Sequence, residues 1–307
     1  MNRNRVARLA CVALVLISTD VSRAQRRGGA PPGGPGGPGR GARATTGTVE
    51  RITVRGKALE GNREGDSPER AVTVYLPPDY AADQNRRFPT VYLLHGEGGS
   101  ENTFIDQAFA LQQSADRLAA AQGFSEFIVV TPNAATVKKG GMYASSPTAG
   151  DWERFVADDL VAAVDGRFRT LPHRMSRAIA GHDAGAEAAL RIGMKRPEVF
   201  ANLYAMSPSA GAAIIMELGK HVSNLDVYYA IAIDVGAADP SLESTRQLHT
   251  AMTKLRIAHA YEEYDGDRSN RIRERIEWSV LPFFSRNLAS PANLTSPSPT
   301  ADRLSGK

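Results

Sequence analysis

Cysteine is all but missing: the 307 residues hold one, Cys11, inside an apolar run near the N-terminus. Once that run is removed, no disulfide and no thiol chemistry is available. An oxidising compartment permits disulfides without demanding them, so their lack does not exclude export. Long apolar runs are missing too. Residues 9–18 form a run of ten, about half of what a membrane-spanning helix needs. With Arg3, Arg5 and Arg8 before it and Ser22-Arg23-Ala24 after it, residues 1–24 read as a secretory signal cut before Gln25. The alternative is an uncleaved anchor. The expected location is periplasmic or secreted, with no membrane span after cleavage.

A basic fold is also absent, despite a net charge of +4. Residues 1–47 carry eight Arg and one acid, a net of +7, which leaves −3 for the remainder. The excess positive charge belongs to the leader, so no nucleic-acid surface is expected on the folded part. Residues 25–47 are rich in Gly, Pro and Arg and read as a disordered linker; residues 289–307 read as a disordered Ser/Pro-rich tail. Residues 48–288 remain, enough for one sizeable α/β domain. No His/Cys/carboxylate spacing for a metal and no cofactor motif is present.

What is there is an alternation of strand and helix patterns. Residues 48–54, 70–76, 90–94, 127–130, 174–180, 202–206, 227–233 and 258–264 read as strands, the first two as an antiparallel edge. Helical patterns cover about residues 104–122, 152–168, 184–195, 242–255 and 270–287, the last kinked at Pro282. The order predicts a mostly parallel eight-stranded sheet with helices on both faces.

Between the fifth strand and its helix stands Gly181-His182-Asp183-Ala184-Gly185. A G-x-S-x-G at such a turn is the strained elbow that lifts a serine above the sheet in α/β-hydrolases. Here an aspartate fills the serine slot.

The chain resembles the esterase family of α/β-hydrolases that contains feruloyl esterases, esterase D and mycolyltransferases. The matching stretches are Val74-Tyr75-Leu76-Pro77-Pro78-Asp79-Tyr80, Tyr92-Leu93-Leu94-His95-Gly96, Asp151-Trp152-Glu153, Arg177-Ala178-Ile179-Ala180-Gly181-His182, Pro197-Glu198-Val199-Phe200 and Ser207-Pro208. The resemblance implies action on carboxylic esters, often those of plant or envelope polysaccharides, so a carbohydrate or envelope ester is the expected ligand. It puts Asp183 at the nucleophile position and Asp239 at the acid position. Arg268 falls where relatives carry the histidine base, and the backbone N–H groups of Glu97 and Ala184 form the oxyanion site.

Arginine stays protonated and cannot act as a base. Of six histidines, His95 and His182 alone fall near the mouth; His173 and His259 open strands, and His221 and His249 lie in a connection and on a helix. A guanidinium can bridge two carboxylates, which predicts an Asp183–Arg268–Asp239 cluster in place of a relay. Asp158, Asp159 and Asp165 read as solvated helix charges, Trp152 as core or pocket wall, and Ser207 and Ser209 as poor substitutes for the nucleophile. The expectation is an exported pseudoenzyme with weak or no ester hydrolysis and a cleft retained for binding. The alternatives are an ester hydrolase or acyl transferase with altered nucleophile chemistry, and an ordinary esterase whose catalytic residues lie elsewhere.

Overall fold

A computed structural model describes residues 46–138 and 142–290. The expected signal, the linker as far as residue 45 and the tail after residue 290 lie outside the described residues; Gly47, the last residue of the expected linker, is buried and donates its N–H to Asp116 Oδ1 at 2.8 Å. Eight strands form one sheet: β1 Thr48–Arg55, β2 Glu69–Leu76, β3 Thr90–Leu94, β4 Ile128–Pro132, β5 Arg177–His182, β6 Asn202–Met206, β7 Ala230–Gly236 and β8 Ala260–Tyr264. Their order is β1-β2-β4-β3-β5-β6-β7-β8. β2 runs antiparallel to both neighbours and all pairs from β4 to β8 are parallel. β1 is the edge; β2, expected beside it, is interior.

The pleat sends alternate residues to two cores. On β3, Tyr92 and Leu94 join a large cluster with Trp152 and Phe155, while Val91 and Leu93 join a second with Phe104 and Phe284. Trp152 is thus core. The chain leaves β3 toward β4 and returns to β5 on the other side, so the strand order reverses between β3 and β5. Such a reversal opens a crevice at the C-terminal strand ends, and residues 95–97 and 182–183 emerge there.

Several elements differ from the sequence expectation. The pattern over 104–122 condenses to Leu111–Ala119, preceded by turns and by Ala110 in the left-handed region at φ 48°. Phe104 and Phe109 pack edge to face at 5.1 Å, and Phe109 meets the His182 ring at 5.4 Å. These aromatic contacts take precedence over helical continuity. Between β6 and β7, helices Ala212–Lys220 and Val222–Asp226 stand where the sequence pattern marks none. The helix after Asp151 has a π-helical middle, Phe155–Leu160. In the last helix Pro282 opens the segment Leu281–Asn287, and a π-helical turn, Ile276–Val280, precedes it. Proline has no N–H for the carbonyl four residues back, and the wider turn absorbs the mismatch.

Three aspartates expected to be solvated are bonded instead. Asp159 Oδ2 accepts the Ala58 N–H at 2.8 Å, Asp165 pairs with Arg177, and Asp158 pairs with Arg196. Their partners come from distant segments, which helix periodicity does not reveal.

Candidate active site

The turn after β5 is closed by glycines. A Cβ on Gly181 would lie 2.0 Å from the Gly185 carbonyl oxygen, and one on Gly185 would lie 2.1 Å from that of Leu94. No side chain fits at either position. Between them Asp183 adopts φ 57°, ψ −120°, costly for a residue with a Cβ. Its N–H donates to Met206 O at 2.9 Å, and its carbonyl accepts the Ala186 N–H at 3.0 Å as the helix Ala184–Lys195 begins.

Two loops reach its carboxylate directly, and a third joins through Arg268. After β8, Asp267 holds its loop by accepting the Ser269 and Asn270 N–H groups at 2.7 and 2.9 Å. The Tyr264 hydroxyl donates to the Asp267 carbonyl at 2.9 Å. From this loop Arg268 donates through Nη1 to Asp183 Oδ1. Its Nη2 and Nε donate to Asp239 Oδ1 at 2.8 and 3.2 Å. Asp239, in the loop after β7, also accepts the Ser241 N–H and hydroxyl on Oδ1 at 2.8 and 2.7 Å. Burial alone would raise the Asp239 carboxyl pKa, but the Arg268 and Ser241 hydrogen bonds overcome it and hold the group below its usual 3.8. Burial opposes the Arg268 charge, and the two carboxylates outweigh it and raise the guanidinium.

After β3, the Glu97 N–H points at Asp183 Oδ2, 3.4 Å away. The Ala184 N–H belongs to the first helical turn, where donors lack intrahelical acceptors. Asp183 thus has one oxygen on Arg268 and the other at the Glu97 amide.

Neither histidine near the mouth is free. His95 is buried; its Nδ1 donates to Gly96 O at 2.9 Å and its Nε2 accepts the Ala134 N–H at 3.0 Å. This tautomer follows from the network. His182 turns from Asp183 and its Nε2 donates to the Arg268 carbonyl at 2.9 Å. Burial pushes both imidazoles below 6.5. His249 bonds His259 at 2.8 Å, and neither touches Asp183. Among the described residues no histidine bonds Asp183, and no three His, Cys or acidic side chains are grouped to hold a metal.

Sequence reasoning missed two supports. His182 braces the loop that carries Arg268 through a main-chain carbonyl, a contact no side-chain pattern announces. Beneath the site, Asp234 pairs with Arg275, both buried, and Tyr204 Oη donates to Asp234 at 3.0 Å. The Arg275 guanidinium lies 4.0 Å over the Tyr264 ring. Burial raises the Asp234 carboxyl, against the Arg275 charge. An aspartate ending the apolar run 227–233 was the available signal. Ser207 lies buried at φ 49°, its hydroxyl 3.3 Å from Tyr264 Oη and not on an elbow.

The strand order, the glycine-closed turn after β5 and the loops after β3, β7 and β8 define an α/β-hydrolase fold. Residues 67–272 match the family described as "Putative esterase", and the chain belongs to that family. An endo-1,4-beta-xylanase/feruloyl esterase of Xylanibacter ruminicola is 31% identical over 142 residues, 45% of this chain and 19% of that protein. An esterase of Mycobacterium tuberculosis is 30% identical over 172 residues, 54% of this chain and 34% of that protein. The chain thus spans a minor part of either relative. A solved ferulic acid esterase superposes with a TM-score of 0.70 at 23% identity, over 78% of this chain and 99% of that one. At that identity the likeness shows the fold.

Proposed function

We propose that this protein is an exported esterase-family hydrolase-fold protein in which an ion cluster, Asp183–Arg268–Asp239, replaces the nucleophile–base–acid relay. It hydrolyses esters weakly or not at all, and its cleft holds a ligand, with a carbohydrate ester as the class the family points to. The domain runs from 48 to 288, after a signal (1–24) and a linker (25–47) and before a tail (289–307). Among the described residues no helix is long and apolar enough to cross a membrane.

The observation that carries this reading is the engagement of Asp183. Attack on an acyl carbon needs a nucleophile with a free electron pair and a base to activate the next water. Asp183 Oδ1 is held by Arg268, and Asp183 Oδ2 sits at the Glu97 amide where an oxyanion would be stabilised. The group at the base position carries a permanent charge. Both features support loss of turnover.

The test compares the native chain with Asp183→Ser/Arg268→His on p-nitrophenyl acetate and a feruloyl ester. An inert native protein and a double variant with turnover are expected. Native hydrolysis that Asp183→Ala abolishes would make Asp183 a working residue and overturn the proposal.

A further inference from the structure

The last helix and the β7–β8 end of the sheet enclose a groove of about 510 Å³, within the range of ligand sites. It lies on a face of the sheet, whereas the cleft opens at the C-terminal strand ends. Its floor is formed by Ala232 on β7 and Ala260 on β8, with the Tyr204 ring of β6 beside them. One wall is Trp278. This indole is 65% exposed, while Trp152, the other tryptophan, is fully buried. Trp278 rides on the π-helical turn Ile276–Val280, a device frequent at functional positions. Phe283 backs the groove, and Glu262 and Arg286, both exposed, also line it. Among the described residues Arg286 has no ion-pair partner, and Glu262 accepts a hydrogen bond from the Ser279 hydroxyl at 3.5 Å.

We propose that this groove binds a neutral glycan chain, one or two sugar rings at a time, with a pyranose face stacked on Trp278. The indole face is electron-rich and attracts the polarised C–H groups of a sugar ring. The groove offers donors from Arg286 and acceptors from Glu262, one charge of each sign, which suits an uncharged ligand bearing many hydroxyls. The two alanines of the floor leave room for a flat ring beside the Tyr204 and Phe283 side chains. A glycan held here sits apart from the cleft, so the groove works as an anchoring site whether or not the cleft turns over ester.

Tryptophan fluorescence and calorimetry on the full chain, with xylohexaose, cellohexaose and mannohexaose as probes, test this. A change in Trp emission is expected with at least one probe. Trp278→Ala should weaken binding about tenfold or more, Trp278→Phe should retain most of it, and Asp183→Ala should leave it unchanged. Absence of binding by all three up to about 10 mM overturns the proposal. So does binding lost in Asp183→Ala and kept in Trp278→Ala, which would place the sugar in the cleft. Light scattering that shows a dimer broken by Trp278→Ala would assign the groove to a second copy and also overturn it. The change is at an exposed side chain, and circular dichroism confirms that the variant folds.

Discussion

Arg268 Nη2 donates to Asp239 Oδ1 at 2.8 Å, and the Asp239 side chain is fully buried while that of Arg268 is a quarter exposed. The same guanidinium reaches Asp183 through Nη1. One cation therefore neutralises two carboxylates drawn from loops far apart in the chain, and removing it leaves both without a compensating charge.

Replacing Arg268 by Met should cost about 2 kcal/mol. Exposed pairs contribute about 0–1 kcal/mol and broken buried pairs cost about 3–5; partial exposure puts this one between. Urea unfolding measures the loss. A cycle with Asp183→Asn should show coupling above about 0.5 kcal/mol, and strict additivity would remove the bridge from the account.

Acid should weaken the fold in two stages. Burial lowers the His95 and His182 pKa values below 6.5. The unfolded chain then takes up protons that the folded chain refuses. Their contribution is full above 6.5 and is lost as pH falls toward the folded values. The Asp239 pKa is also lowered, Arg268 and Ser241 overcoming burial, so its contribution persists above 3.8 and is lost below it. His182→Gln keeps a donor for the Arg268 carbonyl and removes one titrating group. Urea unfolding from about pH 7.5 to about pH 5 should show a shallower decline for this variant. An unchanged slope would count against a buried neutral His182.

Asp183→Gly should create an anion site. Glycine accepts the positive φ without strain, and the substitution frees the Glu97 amide and the inner face of Arg268. Acetate or ferulate should bind with Kd on the order of 1 mM, detected by calorimetry, while the native protein binds neither. Equal affinity in both proteins would show that Asp183 does not occupy that position.

Two glycine substitutions should part in sign. Gly185→Ala drives a Cβ against the Leu94 carbonyl and should cost about 3–5 kcal/mol or prevent folding. Gly166→Ala, in the helix Val161–Arg167 with nothing near its Cβ, should add about 0.5–1 kcal/mol. Thermal unfolding of the two variants decides.

Strands were legible where the pattern was strong. TVYLL and NLYAM are continuous apolar runs, and β3 and β6 occupy those residues. The pattern at 104–122 misled because Phe104 and Phe109, counted among its apolar positions, belong to a turn in which Phe109 packs on His182. The short helices after Gly211 escaped notice because neither is long enough to establish a period. At the site, the meeting of Asp183, Asp239 and Arg268 in one ion cluster could be read from motif and order, whereas His182 as a brace and the buried Asp234–Arg275 pair could not.

The sequence by itself determined the layered α/β class and the glycine-closed turn, because periodicity and the room a Cβ needs are local properties. It also determined the charge chemistry at the cleft, since an arginine cannot shed its proton wherever it is placed. Only the tertiary structure decided which oxygen of Asp183 meets Arg268 and which meets the Glu97 amide, and that Trp278 faces a groove while Trp152 is sealed in the core. Those outcomes depend on how separate loops and helices pack against one sheet, and packing between distant segments leaves no periodic trace along the chain.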